Sequence, residues 1–337
     1  MDITKYILDT SLLEKGDIIL TSIGELPSAG IRKITKSDYS HAILYVGGSS
    51  YIHSDRKGVH ADNPQRLLFD SPDRATVLRI VHPEKDAVVE SAIIYARRMV
   101  GTQYSKKEAA GSVVPKLRSD LKNRQFCSRL VAQSFEEAGI HLVATPAYCT
   151  PQEIHESQLL VEVLGCVRIA SAAECRFAEQ SNPLEKQKEI TNQFFSEIRK
   201  LSGQDIQQHE QLAQYAVDHP EHDSKIVNAL IASGYLDIWK MDVEINPWRY
   251  ELEEFLNRDI PREELLSSAQ GEIQSASRMI AQFQSQHEQY QQLHSRFQRR
   301  YFQHECDLYE LLVNLHKKRR SVAEEAIISL NNQKTES

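Results

Sequence analysis

The last proline of the 337-residue chain is Pro261, and the 76 residues after it carry a strict helical pattern. Apolar or bulky side chains recur at alternating steps of three and four: Leu266, Ala269, Ile273, Ala276, Ile280, Phe283, His287, Tyr290, His294, Phe297, Tyr301, His304, Leu308, Leu311 and Leu315. That spacing keeps one stripe facing a partner helix, and about seven heptads of it predict a coiled-coil-like segment over residues 262–330. A single helix of that length would run about 100 Å at 1.5 Å per residue, too long to bury its seam on one small domain. Gly271 lies too early to turn a balanced hairpin, and no later Gly or Pro offers a turn. The preferred expectation is therefore a long arm that self-associates or grips a protein partner, with a compact intramolecular bundle as the alternative. His287, His294 and His304 stand seven and ten residues apart rather than at i,i+4, which reads as helix packing, so no metal site is expected there.

Composition changes near residue 180. The first 180 residues hold 10 Gly and 7 Gln, and the remainder holds 3 Gly and 18 Gln, so a turn-rich mixed region gives way to a helical one. The expected domains are 1–178 and 185–337, joined around Ser181-Asn182-Pro183, with helix breaks near Gly203, Pro220, Pro247 and Pro261. The net charge of −7 resides in the second region, because residues 1–180 hold 22 basic and 22 acidic side chains. This balance lacks the basic footprint of a nucleic-acid binder. No run of about 18 apolar residues exists to span a membrane. Met1-Asp2-Ile3-Thr4-Lys5 opens no secretory signal, which makes the cytoplasm the default location and leaves export by another route open. Five cysteines, an odd number with no CxxC pair, argue against a disulfide framework or zinc knuckle and for reduced thiols.

Residues 1–170 read as mixed α and β. Strands are expected at Ile18 to Leu20, His41 to Val46, Tyr51 to His53, Ala75 to Val81 and Val161 to Ile169, with a hairpin turn at Gly47-Gly48-Ser49-Ser50. Helices are expected at Asp86 to Val100, closed by Gly101, and at Cys127 to Ala138, closed by Gly139. Thr150-Pro151-Gln152-Glu153 has the form of a capping box with proline at the first helical position.

Three residues stand where chemistry is expected. Cys127 opens a helix, whose free N–H groups and partial positive charge favour thiolate and could cradle an oxyanion. It also shares a face with Leu130 and Val131, as a small core residue would. His41 opens an apolar strand, where an imidazole is costly to bury unless hydrogen-bonded, and could act as general base. His53 lies 12 residues on, across the Gly-Gly turn, where pairing of the two strands would bring it near His41 to hold the base in one tautomer. Asp55 and His60 compete for that third role but fall beyond the expected strand. Tyr39 is a weaker candidate for a second oxyanion donor.

This order, with base and orienter ahead of the nucleophile, is the reverse of papain. It resembles the circularly permuted papain-like proteins of the NlpC-type superfamily, in particular the YiiX/YaeF-like group, together with the lecithin-retinol-acyltransferase-like proteins. The resemblance rests on Gly16-Asp17-Ile18-Ile19-Leu20, Tyr39-Ser40-His41-Ala42, Gly58-Val59, Gly101-Thr102-Gln103-Tyr104, Phe126-Cys127-Ser128-Arg129-Leu130-Val131 and Thr150-Pro151. It covers roughly residues 10–170. It implies an α+β fold, a permuted papain-like domain of antiparallel sheet and helices, ahead of the all-helical region. Two features depart from one branch or the other. The bacterial group often has Glu where this chain has His53, and the acyltransferase-like group has an Asn-Cys nucleophile segment where this chain has Phe126-Cys127.

The expected activity is a thiol hydrolase of amide, ester or thioester bonds, acting through an acyl-enzyme on Cys127 without metal or cofactor. Two alternatives stand beside it. One is a lipid acyltransferase or phospholipase, favoured by His53 and weakened by the lack of a hydrophobic anchor. The other is a non-catalytic protein that works through its helical region. The substrate class, whether peptide, other acyl compound or lipid, stays open.

Overall fold

The computed structural model describes residues 4–22, 38–104, 125–180 and 182–332. The chain divides into two compact units, Met1–Lys188 with Asp205–Gln208, and Glu189–Gln204 with His209–Ser337.

The first unit is built on a six-stranded antiparallel sheet of order β5-β4-β3-β2-β7-β8. Its strands are β2 (Ile18–Thr21), β3 (His41–Gly47), β4 (Ser50–Asp55), β5 (Gly58–Asp62), β7 (Ala75–Ile80) and β8 (Leu160–Glu162). A smaller sheet joins β6 (Leu68–Phe69), β1 (Tyr6–Leu8) and β9 (Val167–Ile169). The segment expected as one late strand, Val161 to Ile169, is therefore two short strands in different sheets. Gly165, in the left-handed region at φ +76°, turns the chain between them.

Side chains alternate across the central sheet as strand geometry demands. Ile18, Leu20, Ala42 and Leu44 pack on one face with Val89 and Ile93 of α1 (Lys85–Arg98) and Leu130 and Phe135 of α2 (Cys127–Glu137). Ile19, Ile43, Tyr45 and Val77 form a second core with Leu8 and Phe69 of the small sheet. Beneath the strands, Asp17 is fully buried and held by Arg79, whose Nε and Nη2 both donate to its carboxylate at 2.8 Å. Thr150 caps α3 (Pro151–His155) through the reciprocal bonds of a capping box. Ser171 does the same for α4 (Ala172–Glu179).

The second unit is helical among its described residues. Most of α5 (Pro183–Ser202) is followed by α6 (His209–Asp218), α7 (Asp223–Ala232), α8 (Ile238–Ile245), α9 (Leu252–Leu256), α10 (Arg262–Phe297) and α11 (Arg300–Asn332). The last two form an antiparallel hairpin. Residues 262–330, expected as one long self-associating or partner-gripping arm, are thus two antiparallel helices that cover their seam within the chain, as the intramolecular alternative has it. Gln298 makes the turn in the left-handed region at φ +54°, with its N–H donating to His294 O at 2.8 Å. Asp223 of α7 then caps α11, accepting from the N–H groups of Arg300 at 2.9 Å and Tyr301 at 3.0 Å. The seam is closed by Ala269, Ala276, Tyr290, Phe302, Ala323 and Ala326, and by one buried ion pair in which Arg319 donates to Glu272 at 2.6 and 3.1 Å.

Candidate active site

Strand pairing assembles the histidines. β3 and β4 pair antiparallel with Ile43 opposite His53, and β4 and β5 pair with His53 opposite His60. His41 lies diagonal to His53, and its Nε2 is 2.7 Å from His53 Nδ1. On the far side His53 Nε2 is 2.9 Å from His60 Nε2. The row ends on a backbone carbonyl, Gly58 O, 3.0 Å from His60 Nδ1. His53 and His60 are buried, and the Tyr51 ring meets His53 edge-on at 5.1 Å. Burial drives all three imidazoles toward the neutral form. His41 is brought down to about 4, His53 falls well below its ordinary value, and His60 is lowered against the pull of Asp55.

Gly58 is a fixed point. It sits at φ +101°, and a β-carbon there would come within 2.6 Å of Thr102 O. Val59 N–H donates to that same Thr102 O at 2.8 Å, and Gly101 N–H donates to Val59 O at 2.9 Å. The Gly-Thr-Gln-Tyr loop after α1 is thus stitched to β5, and Tyr104 bridges Gln125 just ahead of the cysteine segment.

Cys127 is the first residue of α2, entered from an extended Phe126 that supplies no side-chain cap. The β3–β4 ladder begins at Ile43 with His53, so the Ala42 amide lies beyond its end and donates toward the Cys127 sulfur. The amides of Ser128 and Cys127 also favour its thiolate, yet burial outweighs them and pushes the thiol up. This differs from the expectation of a depressed thiol. The helix terminus acts as expected, but desolvation is the larger effect. No hydrogen bond joins the Cys127 sulfur to His41 in this state. Burial thus favours the uncharged form of both groups.

Tyr39 is engaged elsewhere. Its hydroxyl bonds to Thr76 Oγ1 at 3.0 Å, and its ring packs on His155 at 5.1 Å. Tyr104 instead lies close enough to feel charge on Cys127, and its phenol is raised by burial first and by Cys127 second. Tyr104 belongs to a loop with no expected role, and His60 lies beyond the strand expected to end at His53. The signal for His60 was the Gly58 to Asp62 run, a short strand with polar alternation.

Donor clusters that could hold a metal ion are two among the described residues: His53 with Asp55 and His60, and His219 with Glu221 and His222. In the first, His53 and His60 are already joined through their Nε2 atoms at 2.9 Å. His287, His294 and His304 form no such cluster.

A family model described as permuted papain-like amidase enzyme, YaeF/YiiX, C92 family, matches residues 12–164. That segment is a permuted papain-like domain. That description is of an amidase enzyme, a hydrolase, and the matched residues span Cys127, His41, His53 and His60. Among solved structures, one similar chain is the metalloprotein yiiX from Escherichia coli O157:H7, at 17% identity and a TM-score of 0.31, covering 44% of this chain and 96% of that one. A search of curated proteins found no match. No helix of the described residues is long and apolar enough to cross a membrane.

Proposed function

We propose that the first unit is a thiol hydrolase of an amide, ester or thioester, with Cys127 as nucleophile, His41 as general base and His53 as the residue that orients His41. The observation that carries this reading is the 2.7 Å contact between His41 and His53 beside a helix-terminal cysteine. Because Cys127 and His41 both rest neutral, the reaction begins by general-base catalysis rather than from a preformed ion pair. As sulfur attacks the acyl carbon, its proton passes to His41, which later returns it to the leaving group. The resting gap between base and thiol closes when substrate binds, as such contacts commonly do. The Cys127 amide, which already favours the thiolate, is the donor offered to the developing oxyanion, with Tyr104 close enough to feel charge on the same sulfur and Tyr39 held by Thr76. Water then hydrolyses the acyl-enzyme.

A panel of activated esters, thioesters and anilides tests the reading. Turnover of at least one class should vanish in Cys127→Ala and fall by about 10²–10⁴ in His41→Ala. Turnover that survives both substitutions refutes it. His53 also keeps lipid acyl transfer in play, and release of fatty acid from phospholipid vesicles by the same site would assign that substrate class instead.

A further inference from the structure

A row of three imidazoles has its hydrogens set from whichever end is fixed. Here the fixed end is Gly58 O, a carbonyl that only accepts, so His60 Nδ1 carries the hydrogen in their 3.0 Å contact. A neutral imidazole has a single N–H, which leaves His60 Nε2 bare. The 2.9 Å contact with His53 Nε2 then takes its hydrogen from His53, and His53 Nδ1 is bare. By the same step, the 2.7 Å contact takes its hydrogen from His41 Nε2. One nitrogen of the row is left with a free lone pair, His41 Nδ1. The reverse arrangement would set the bare Nδ1 of His60 against a carbonyl oxygen that Thr102 and the left-handed Gly58 hold in place.

We propose that His60 is a positioning residue that acts through His53 to hold His41 in the Nε2–H tautomer, leaving Nδ1 as the nitrogen that takes the Cys127 proton. This rests on the thiol-hydrolase reading above. In the attack, the S–H bond breaks and its proton joins His41 Nδ1, while the sulfur pair forms the S–C bond. His41 becomes an imidazolium whose Nε2–H still donates to His53 Nδ1, so neither His53 nor His60 changes protonation. Among the described residues, the charged groups facing the row are Asp55, whose Oδ1 is 3.7 Å from His60 Nδ1, together with Asp62 and Lys188. Asp55 acts on His41 also and is the anion that favours the imidazolium.

The test has two readouts on the full chain. Histidine-selective ¹⁵N labelling with long-range ¹H–¹⁵N correlation gives each tautomer without any substrate. The expected result at pH 7 is Nδ1–H for His60 and Nε2–H for His53 and His41. An Nε2–H tautomer of His60, or loss of its pattern on EDTA treatment, overturns the proposal. The second readout is the pH dependence of Cys127 alkylation by iodoacetamide, resolved by peptide mass spectrometry. The wild-type rate should be flat between about pH 5 and 8, because a neutral base serves a neutral thiol. His60→Ala should be at least tenfold slower at pH 6 and rise tenfold per pH unit, the signature of thiolate alone. His60→Gln, whose side-chain oxygen can accept from His53 Nε2–H, should restore the flat profile. A flat His60→Ala profile at the wild-type rate overturns the proposal. If the wild type itself shows the thiolate slope, the Cys127–His41 reading fails and the positioning role of His60 with it, whereas the tautomer spectra judge the hydrogen-bond assignment separately. Should His60→Ala fail to fold, the wild-type spectra still decide.

Discussion

Glu305→Gln should make the helical unit more stable, although it removes a native charge. Glu305 lies fully buried in α11, and neither carboxylate oxygen has a hydrogen-bond partner among the described residues. His209 Nδ1, also unpartnered, stands 3.9 Å from Oε1. Burial outweighs the neighbouring Tyr301 hydroxyl and raises the carboxyl to about 8, from an ordinary 4.5. A carboxyl raised in the folded state stays protonated while the unfolded chain ionises. Stability is therefore highest below pH 4.5, falls as pH rises through the window from 4.5 to 8, and levels off above it. At 1.36 kcal/mol per unit, the penalty is about 3 kcal/mol at pH 7, about 5 kcal/mol at pH 9 and under about 1 kcal/mol at pH 5. Glutamine keeps the shape of the protonated acid and cannot ionise. Trp239 and Trp248 are the two tryptophans of the chain, and both belong to this unit, so urea unfolding followed by their fluorescence reports on it. With a slope of about 2 kcal/mol per molar, the midpoint should rise by about 1.5 M at pH 7 and little at pH 5. A variant no more stable than wild type at pH 9, or a gain independent of pH, would show that ionising the buried Glu305 carries no such penalty.

Four further outcomes follow from the site. Cys127→Ala should unfold within about 1 kcal/mol of wild type by circular dichroism, because only one sulfur is lost from the core edge. His53→Ala should lower turnover less than His41→Ala does, and His53→Glu should keep part of it because a carboxylate accepts from His41 Nε2–H; a wild-type rate in His53→Ala removes His53 from the site. The acid limb of turnover should fall near pH 4, where His41 gains its proton, and a limb at 6.5 would contradict the burial of that imidazole. Gly58→Ala combines left-handed backbone with a 2.6 Å approach to Thr102 O, so thermal unfolding should show a loss of about 1–3 kcal/mol or more.

Much of the first unit was legible because its signals are local. The Gly47-Gly48 turn, the Thr150 capping box and the helix opening at Cys127 each depend on residues within a few positions, and each appears where expected. What escaped depends on distant partners. The hairpin turn at Gln298 has neither Gly nor Pro, and the group that starts α11 is Asp223, 77 residues from Arg300. Arg299 is likewise held by Ala216 O, 83 residues away. A periodic pattern specifies that a seam will be covered, and such remote caps decide what covers it. His60, a competitor for the third role, fell outside the expected strand for a related reason: the strand that carries it is fixed by pairing to β4 and by Thr102 rather than by its own propensity. The expected low thiol pKa failed because a helix terminus is visible in sequence, whereas the depth of burial that opposes it is not.

In the proposed mechanism Cys127 carries the acyl group. Rapid acid quenching of the full chain with an activated ester, followed by intact-mass and peptide mass spectrometry, measures this directly. A single acyl adduct on Cys127 should form before steady state, decay with turnover, and be absent in His41→Ala at neutral pH. Turnover with no adduct on Cys127, or an adduct carried by another residue at the same rate, would contradict that mechanism.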